Sequence, residues 1–575
     1  MKTGRQTSCF AIALVSTPSL RMNVASGRYS RIWQPRLLWI FVLTCAFPLA
    51  FAVYTQHAWE DFYITFRASR NLATGYGLVF NVGDRLHTFT SPIQALLLAF
   101  SSLLTGNRSE AAALWLYRAL CIPAFGLAAA LLFATTKRLR YPIFASVALV
   151  GWLATDAKSV DFTINGMETA FLLLGFAYAF WAMFGTETRA WLHLGVAWGI
   201  LMWTRPDSFI YIALFTGAVF LFNRPQVTGR TRGRWLRIFL GAAAVAVLVY
   251  VPWFLFAWVY YGSPVPHTIV AKSMLFGPRT LAGFRPFLLH SHDWTSAVER
   301  LFMPPNAEFG GWPHWIARAA QIAAMACAVL WIVPGLRTET KAASFTLLGS
   351  QVYLSYILIS SWYLPLPALL GFVTLSGLLA QALSPDRKVT FPASASFLRF
   401  SSVVASLAIL LVGAWLTVQS AKQLKLQQAI IENGTRREIG VWLRDHAAPG
   451  DAVLLEPLGY IGYFSGLKTY DVPGLSSREV VELERRGLRG LGTLAAELHP
   501  EWLVLRPFEI EEISQTYPHL LDDQYIRVRD FDVRDRVARL RIYGRGYLEY
   551  DSAFIIFHRR PLSGTAWQHV RAAQH

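Results

Sequence analysis

Apolar runs recur along this chain at short intervals, and they constrain its fold more than any other feature. Runs of about 14–24 residues fall at 37–54, 111–134, 142–156, 168–185, 191–204, 207–222, 237–259, 313–334, 342–361, 364–383 and 400–418, separated by Arg-rich or Pro/Gly breaks. Roughly 20 apolar residues cross a bilayer as a helix, because a helix satisfies its own backbone N–H and C=O groups where no water reaches. Of the 575 residues, 54% are hydrophobic and 15% charged, whereas a soluble protein carries about a quarter charged. The sequence predicts a polytopic α-helical membrane protein.

The net charge of +18 would suit nucleic acid, but its placement points to a membrane. Residues 1–36 hold Lys2, Arg5, Arg21, Arg28, Arg31 and Arg36 with no acid. Residues 223–237 hold Arg224, Arg230, Arg232, Arg234 and Arg237 with no acid, and Lys137, Arg138 and Arg140 form a third cluster. Short basic loops between spans mark the cytoplasmic face, so no nucleic-acid partner is expected. With the basic tail 1–36 and the loops 135–141, 223–237, 336–341 and 384–388 inside, parity is satisfied by about eleven spans over 37–418. It requires the short run 91–106 to lie along the outer surface as a juxtamembrane helix. The outer loops 55–92 and 260–312, the turns Asn165–Glu168 and Arg205–Asp207, and the C-terminal region then face outward. This implies a multi-pass protein of the cytoplasmic membrane with its N-terminus in the cytoplasm.

From 419 to 575 the composition becomes that of a soluble α/β domain, predicted to be extracytoplasmic. An amphipathic helix near 435–446 ends at Ala448-Pro449-Gly450. Strands are expected at Asp451–Glu456, Leu503–Leu505 and Phe554–Phe557, and helices near 477–498. The four cysteines, Cys9, Cys45, Cys121 and Cys327, lie in the tail or in apolar runs and form neither a disulfide framework nor a zinc spacing. There is no P-loop, no GxGxxG after a strand and no HExxH, so the sequence carries no signature of nucleotide-powered or zinc-protease chemistry.

The stretch 59–92 follows the first span and opens on two carboxylates, Glu60 and Asp61. Acids at the mouth of a span are costly to desolvate and mark functional candidates. Either can act as a general base on a hydroxyl, hold a divalent cation (Mg, Mn or Ca), or simply complement a helix dipole. Glu168, in Asn165-Gly166-Met167-Glu168, is a second acid at an outer span entrance and, with Asp61, a candidate metal ligand. Arg67 and Asn71 lie on the helix that Glu60 begins; a guanidinium there could clamp a phosphate or anchor the interface. Arg205 and Asp207 flank Pro206 between two apolar runs, as a functional pair or a self-neutralising one. His267 and Lys272 fall in the outer loop after Pro264-Val265-Pro266, where a lysine could meet a lipid phosphate. Trp362-Tyr363 before Pro365 suits either an interfacial aromatic belt or substrate contact.

Glu60-Asp61-Phe62-Tyr63-Ile64-Thr65-Phe66-Arg67, with Asn71, Gly75-Tyr76-Gly77, Asn81 and Thr90-Ser91-Pro92, resembles the first outer loop of GT-C fold glycosyltransferases. It is similar to the AftB-type terminal arabinofuranosyltransferases of mycobacteria and their bacterial relatives. Gly166-Met167-Glu168, Thr204-Arg205-Pro206-Asp207, Pro266-His267-Thr268, Lys272, Trp362-Tyr363, Glu456–Gly466 and Asp471–Leu475 extend the resemblance over 37 to about 480. Two departures stand out: Glu60-Asp61 replaces the more usual Asp-Asp, and His267 stands where Asn is common. The resemblance implies a polyprenyl-phosphate-linked sugar donor, with its phosphate near Arg67, Arg205 or Lys272. Asp61 would deprotonate an acceptor hydroxyl on a cell-envelope glycan or glycoprotein, and Glu168 would stabilise positive charge at the reacting sugar. Arabinofuranose follows from the nearest resemblance, with mannose or another hexose as the alternative. The rivals are a lipid or sugar transporter and a non-catalytic assembly protein.

Overall fold

A computed structural model describes residues 25–185, 189–225, 229–275, 298–357, 360–384 and 395–561. Most of the basic tail and part of the outer loop 260–312 lie outside the described residues. Within the described residues each apolar run is largely helical. The helices are α1 (Ala25–Thr55), α2 (Glu60–Ala73), α3 (Pro92–Leu104), α4 (Glu110–Arg138), α5 (Ile143–Ala154), α6 (Ala157–Ile164), α7 (Thr169–Phe184), α8 (Ala190–Thr204) and α9 (Ser208–Phe222). They continue with α10 (Arg232–Tyr261), α11 (His267–Leu275), α12 (His314–Val329), α13 (Thr338–Ile357), α14 (Pro365–Leu383) and α15 (Ala395–Gln427).

Among the described residues, six helical stretches are long and apolar enough to cross a membrane: Pro35–Thr55, Glu110–Arg138, Arg232–Tyr261, His314–Ile332, Pro365–Leu383 and Ser396–His446. A seventh arises if α5 and α6, bent by 56°, form one broken span. Length and composition thus support six or seven spans rather than the eleven that parity suggests. The difference lies in α7, α8 and α9, which hold 16, 15 and 15 residues, and in α13, which interleaves Thr, Ser and Gln with its apolar side chains. The α5–α6 break is a capped helix start: Asp156 accepts from the Ser159 backbone at 2.9 Å and its hydroxyl at 2.6 Å. The run at 91–106 becomes α3, 13 residues long. Ser91 caps it by accepting from the Gln94 N–H, and Pro92 occupies the first turn, where a missing N–H costs nothing.

The composition change near 419 falls inside a continuous helix. α15 runs through a π-helical stretch, Gln428–Arg436, into α16 (Arg437–His446). The C-terminal region then builds β1 (Ala452–Leu455), α17 (Leu458–Ser465), β2 (Lys468–Asp471), α18 (Arg478–Arg485), α19 (Leu491–Leu498), β3 (Trp502–Leu505), β4 (Tyr525–Asp532) and β5 (Ala553–Arg559). The sheet order is β2-β1-β3-β5-β4. β1 pairs in parallel with β2 and β3, while β5 runs antiparallel to β3 and β4. β2 and β4 are additions to the expected strands. β4 is mostly exposed and charged, a composition that hides an edge strand from hydrophobic patterning.

The loop 59–92 is wedged between the helical bundle and this domain. Phe62, Tyr63 and Phe66 join the bundle core, while Ile64 and Phe80 join Ile439, Leu443, Val453 and Ile461 in the core of the C-terminal domain.

Candidate functional site

Helix α2 carries acids in its first turn and Arg70 in its last, matching its dipole at both ends. Its geometry separates two neighbouring carboxylates. Glu60, Ile64, Arg67 and Asn71 follow the i, i+4, i+7, i+11 spacing that places them on one face. Glu60 accepts from Arg436 Nη1 at 2.9 Å and from the Gly459 backbone N–H at 2.5 Å. Arg67 donates to the carbonyls of Gly462 at 2.6 Å, Leu467 at 2.9 Å and Gly466 at 3.2 Å, closing the C-terminal end of α17. Its guanidinium also lies 4.2 Å from the Phe80 ring centroid. Asn71 donates to Val79 O at 2.8 Å and Phe80 O at 3.1 Å, folding the loop back on the helix. This face is a docking surface, and Arg67 and Asn71 are committed to backbone carbonyls rather than open to a phosphate.

Glu60 belongs to a larger buried network. Arg436, in the π-helical stretch, also contacts Glu432 at 3.0 Å and Asp551. Arg506 contacts Asp551 and Glu456 at 2.7 Å each and Glu509 at 2.9 Å. Five carboxylates thus share two guanidiniums. Burial pushes Glu60 up to about 8, against the pull of Arg436, with Glu432 and Asp61 adding to the rise. Protonation of Glu60 relieves part of the excess of acid.

Asp61 points to different surroundings. It is half-buried, and among the described residues its carboxylate has no hydrogen-bond or ion-pair partner. Burial raises its carboxyl above the usual value, Lys272 pulls it back, and Glu168 and Glu456 add to the rise. Glu168 precedes α7 and accepts from Arg205 Nη1 at 3.0 Å. Its turn is held in place by Trp59 N–H to Asn165 O at 2.9 Å, Gln94 to Gly166 O at 2.7 Å and Tyr117 to Met167 O at 3.3 Å. Gly166 has φ +99°, and a Cβ there would stand 2.3 Å from the Phe62 ring, so only glycine lets the turn approach α2.

Arg205 forks onto Asp207, with contacts of 3.1 and 3.2 Å, and its guanidinium lies 4.2 Å from the Tyr363 ring centroid. Tyr363 stacks on Trp362 at 5.9 Å, which meets Trp59 at 6.0 Å. Lys272, on α11, places its ammonium 5.3 Å from the Trp362 ring centroid and makes no ion pair among the described residues. Asp61, Glu168, Arg205, Asp207, Lys272 and Tyr363 therefore gather around the start of α2. His267 does not join them: its Nε2 lies 3.0 Å from Gly474 O and its backbone N–H donates to His87 O at 2.9 Å. It ties α11 to the C-terminal domain.

Asp61 and Glu168 were expected to hold a divalent cation. Glu168 already pairs with Arg205, and among the described residues no group of three His, Cys, Asp or Glu side chains is arranged as a metal site. Two carboxylates suit only a cation shared with a substrate phosphate.

The sequence reading missed the supports beneath the site. His57 Nδ1 lies 2.8 Å from Asp161 Oδ1, with His57 buried. Arg118 donates to Ile164 O and His57 O at 2.6 Å each. Glu432 and Arg436, four residues apart, are both buried beneath the C-terminal domain.

Residues 424–551 match a family model described as a domain of unknown function, DUF8728. The chain is 29% identical over 236 residues to the terminal β-(1→2)-arabinofuranosyltransferase of Corynebacterium glutamicum, covering 37% of this chain and 33% of that one. It is 26% identical over 258 residues to the enzyme of the same name from Mycobacterium tuberculosis, covering 41% and 38%. The matches thus span little more than a third of the relatives' length. Among solved structures, similarity extends to the oligosaccharyltransferase AglB from Archaeoglobus fulgidus at 11% identity and TM-score 0.49, covering 82% of this chain and 69% of that one. ArnT from Cupriavidus metallidurans is similar at 13% identity and TM-score 0.45, covering 94% and 100%.

Proposed function

We propose that the chain is a membrane glycosyltransferase that moves a sugar from a polyprenyl-phosphate donor to a hydroxyl of a cell-envelope glycan or protein. The observation that carries this reading is the Asp61 carboxylate: half-buried, without a partner among the described residues, and beside the Lys272 ammonium, which makes no ion pair among them. A carboxylate whose basicity is raised by burial is suited to accept a proton at neutral pH. In the proposed reaction Asp61 takes the proton of the acceptor hydroxyl as its oxygen bonds to the anomeric carbon. The bond from that carbon to the phosphate oxygen breaks, and the lipid phosphate departs with the bonding pair. Lys272 sits beside the departing phosphate. Glu168, fixed by Arg205, adds negative potential near the positive charge that develops on the sugar.

Arabinofuranose is the proposed sugar, in keeping with the names of the two bacterial relatives. The proposed topology counts α7, α8, α9 and α13 as spans, giving about eleven with α3 along the outer surface. It puts the N-terminus in the cytoplasm and the α/β domain outside. Membranes containing the chain, supplied with radiolabelled polyprenyl-phosphate arabinofuranose, mannose and glucose, should transfer the arabinofuranosyl label to envelope glycan. Transfer of a hexose alone would replace the sugar. Consumption of none would overturn the reading, and flux of an unconsumed lipid in sealed vesicles would favour a transporter.

A further inference from the structure

A second lipid-shaped feature lies where α12 and α15 leave the bundle. A cavity of about 230 Å³ lies between them, lined by Ile316, Ala320 and Ala323 of α12, Val412 and Leu416 of α15, and Phe372 of α14. At the ~30 Å³ that one water-sized group occupies, it holds roughly seven or eight methylenes. That suits the inner part of one lipid chain. Trp312 and Trp415 flank its end nearest the C-terminal domain, packing in one cluster with Met303, Ile316 and Leu416.

Above these tryptophans sits a segment of the C-terminal domain. Tyr543 stacks on Trp312 at 6.3 Å and meets Trp415 edge-on at 5.1 Å. Beside it an open cleft is lined by Gln419 and Lys422 of α15, by Gly311, and by Arg541, Tyr543 and Arg545. Arg545 pairs with Glu549 at 2.7 Å. Lys422 and Arg541 are exposed, and neither has an ion-pair partner among the described residues. Arg536 and Arg539, in the adjoining stretch, are also exposed and unpaired among the described residues.

The two features align along one axis. Lys422 follows the apolar run of α15 by one turn, and Trp315, 68% exposed, opens the apolar run of α12. Both positions are membrane–water boundaries, where aromatic rings and basic side chains settle at headgroup depth. We infer that this is a binding site for an anionic glycerophospholipid, with its phosphate between Lys422 and Arg541 and one acyl chain in the α12–α15 cavity. Charge complementarity selects an anionic headgroup, and the apolar cavity takes part of one lipid chain. The site uses none of the residues placed around Asp61. It joins the C-terminal domain to the membrane surface through a lipid as well as through the α15–α16 helix.

The test is native mass spectrometry of the full chain in mild detergent, titrated with phosphatidylglycerol or phosphatidylcholine. One phosphatidylglycerol should bind at least tenfold more tightly than phosphatidylcholine. Lys422→Gln with Arg541→Gln should abolish that preference, and Ala323→Phe, which fills the cavity without touching charge, should weaken both lipids. If the double variant loses folded yield, the two single variants are titrated in its place, and each should reduce the preference. Equal affinity for the two lipids, or a preference unchanged in these variants, would overturn the inference. Undecaprenyl phosphate displacing phosphatidylglycerol at equimolar concentration, in a manner sensitive to the same variants, would overturn the choice of occupant.

Discussion

The two sides of α2 begin one residue apart and differ in almost every respect. On the docking side, Glu60, Arg67 and Asn71 use their polar atoms on the C-terminal domain and the loop, and Ile64 enters that domain's core. On the opposite side, among the described residues, the Asp61 carboxylate has no partner and the Lys272 ammonium no ion pair, while Glu168, Arg205 and Asp207 brace one another. A saturated surface resists change, and an unsaturated one is available to a substrate. Buried polar groups without partners are costly, so free groups concentrated beside a braced triad mark a place where something else binds. The same sequence motif thus supplies an architectural half and a chemical half.

This contrast can be broken at several points. The largest expected effect is on the docking side. Arg436→Met leaves Glu60, Glu432 and Asp551 buried without their shared cation, which should cost about 3–5 kcal/mol. Thermal unfolding in detergent should drop sharply, with the remaining folded protein still competent to bind donor. Next, Gly459→Ala would place a Cβ 2.0 Å from the Glu60 carbonyl oxygen. Backbone must separate there, at about 1–3 kcal/mol, and limited proteolysis should detect a loosened C-terminal domain. On the chemical side, Lys272→Met should raise the KM for the lipid-linked donor roughly tenfold, about 1.4 kcal/mol, with unchanged melting temperature. A half-exposed cation is partly screened, which keeps this effect modest.

A further effect is a pH slope. Glu60 has an ordinary value of 4.5 and is pushed up to about 8 in the fold by burial. The folded state therefore binds more protons than the unfolded state between those values, and stability declines as pH rises through that window. The slope from one such group is at most ~1.4 kcal/mol per pH unit. Glu60→Gln should flatten it in thermal melts taken from pH 5 to 8, whereas Asp61→Asn should leave Glu60's share of the slope in place.

Apolar periodicity made the helical bundle and most of the C-terminal elements legible, because burial in lipid or in a core writes itself directly into residue type. The edge strand β4 was hidden by its charged composition, and the continuity of α15 with α16 by a polarity change that occurs without a helix break. At the site, the acids and Arg205 could be found as polar residues at span mouths. Their division of labour could not, because it depends on what the C-terminal domain covers. One signal was present: Glu60, Ile64, Arg67 and Asn71 at i, i+4, i+7 and i+11 describe a single face, and an apolar residue within it points to contact with protein rather than substrate. Asp61 falls off that face.

Donor-dependent sugar transfer and melting temperature, measured together for Asp61→Asn and Glu60→Gln, show whether Asp61 is the base. Loss of a general base lowers rates by about 10²–10⁴-fold. That loss is expected for Asp61→Asn at an unchanged melting temperature, with transfer by folded Glu60→Gln within about threefold of the parent on the same scale. Full transfer by Asp61→Asn, or an equal collapse of transfer in both variants, would contradict that assignment.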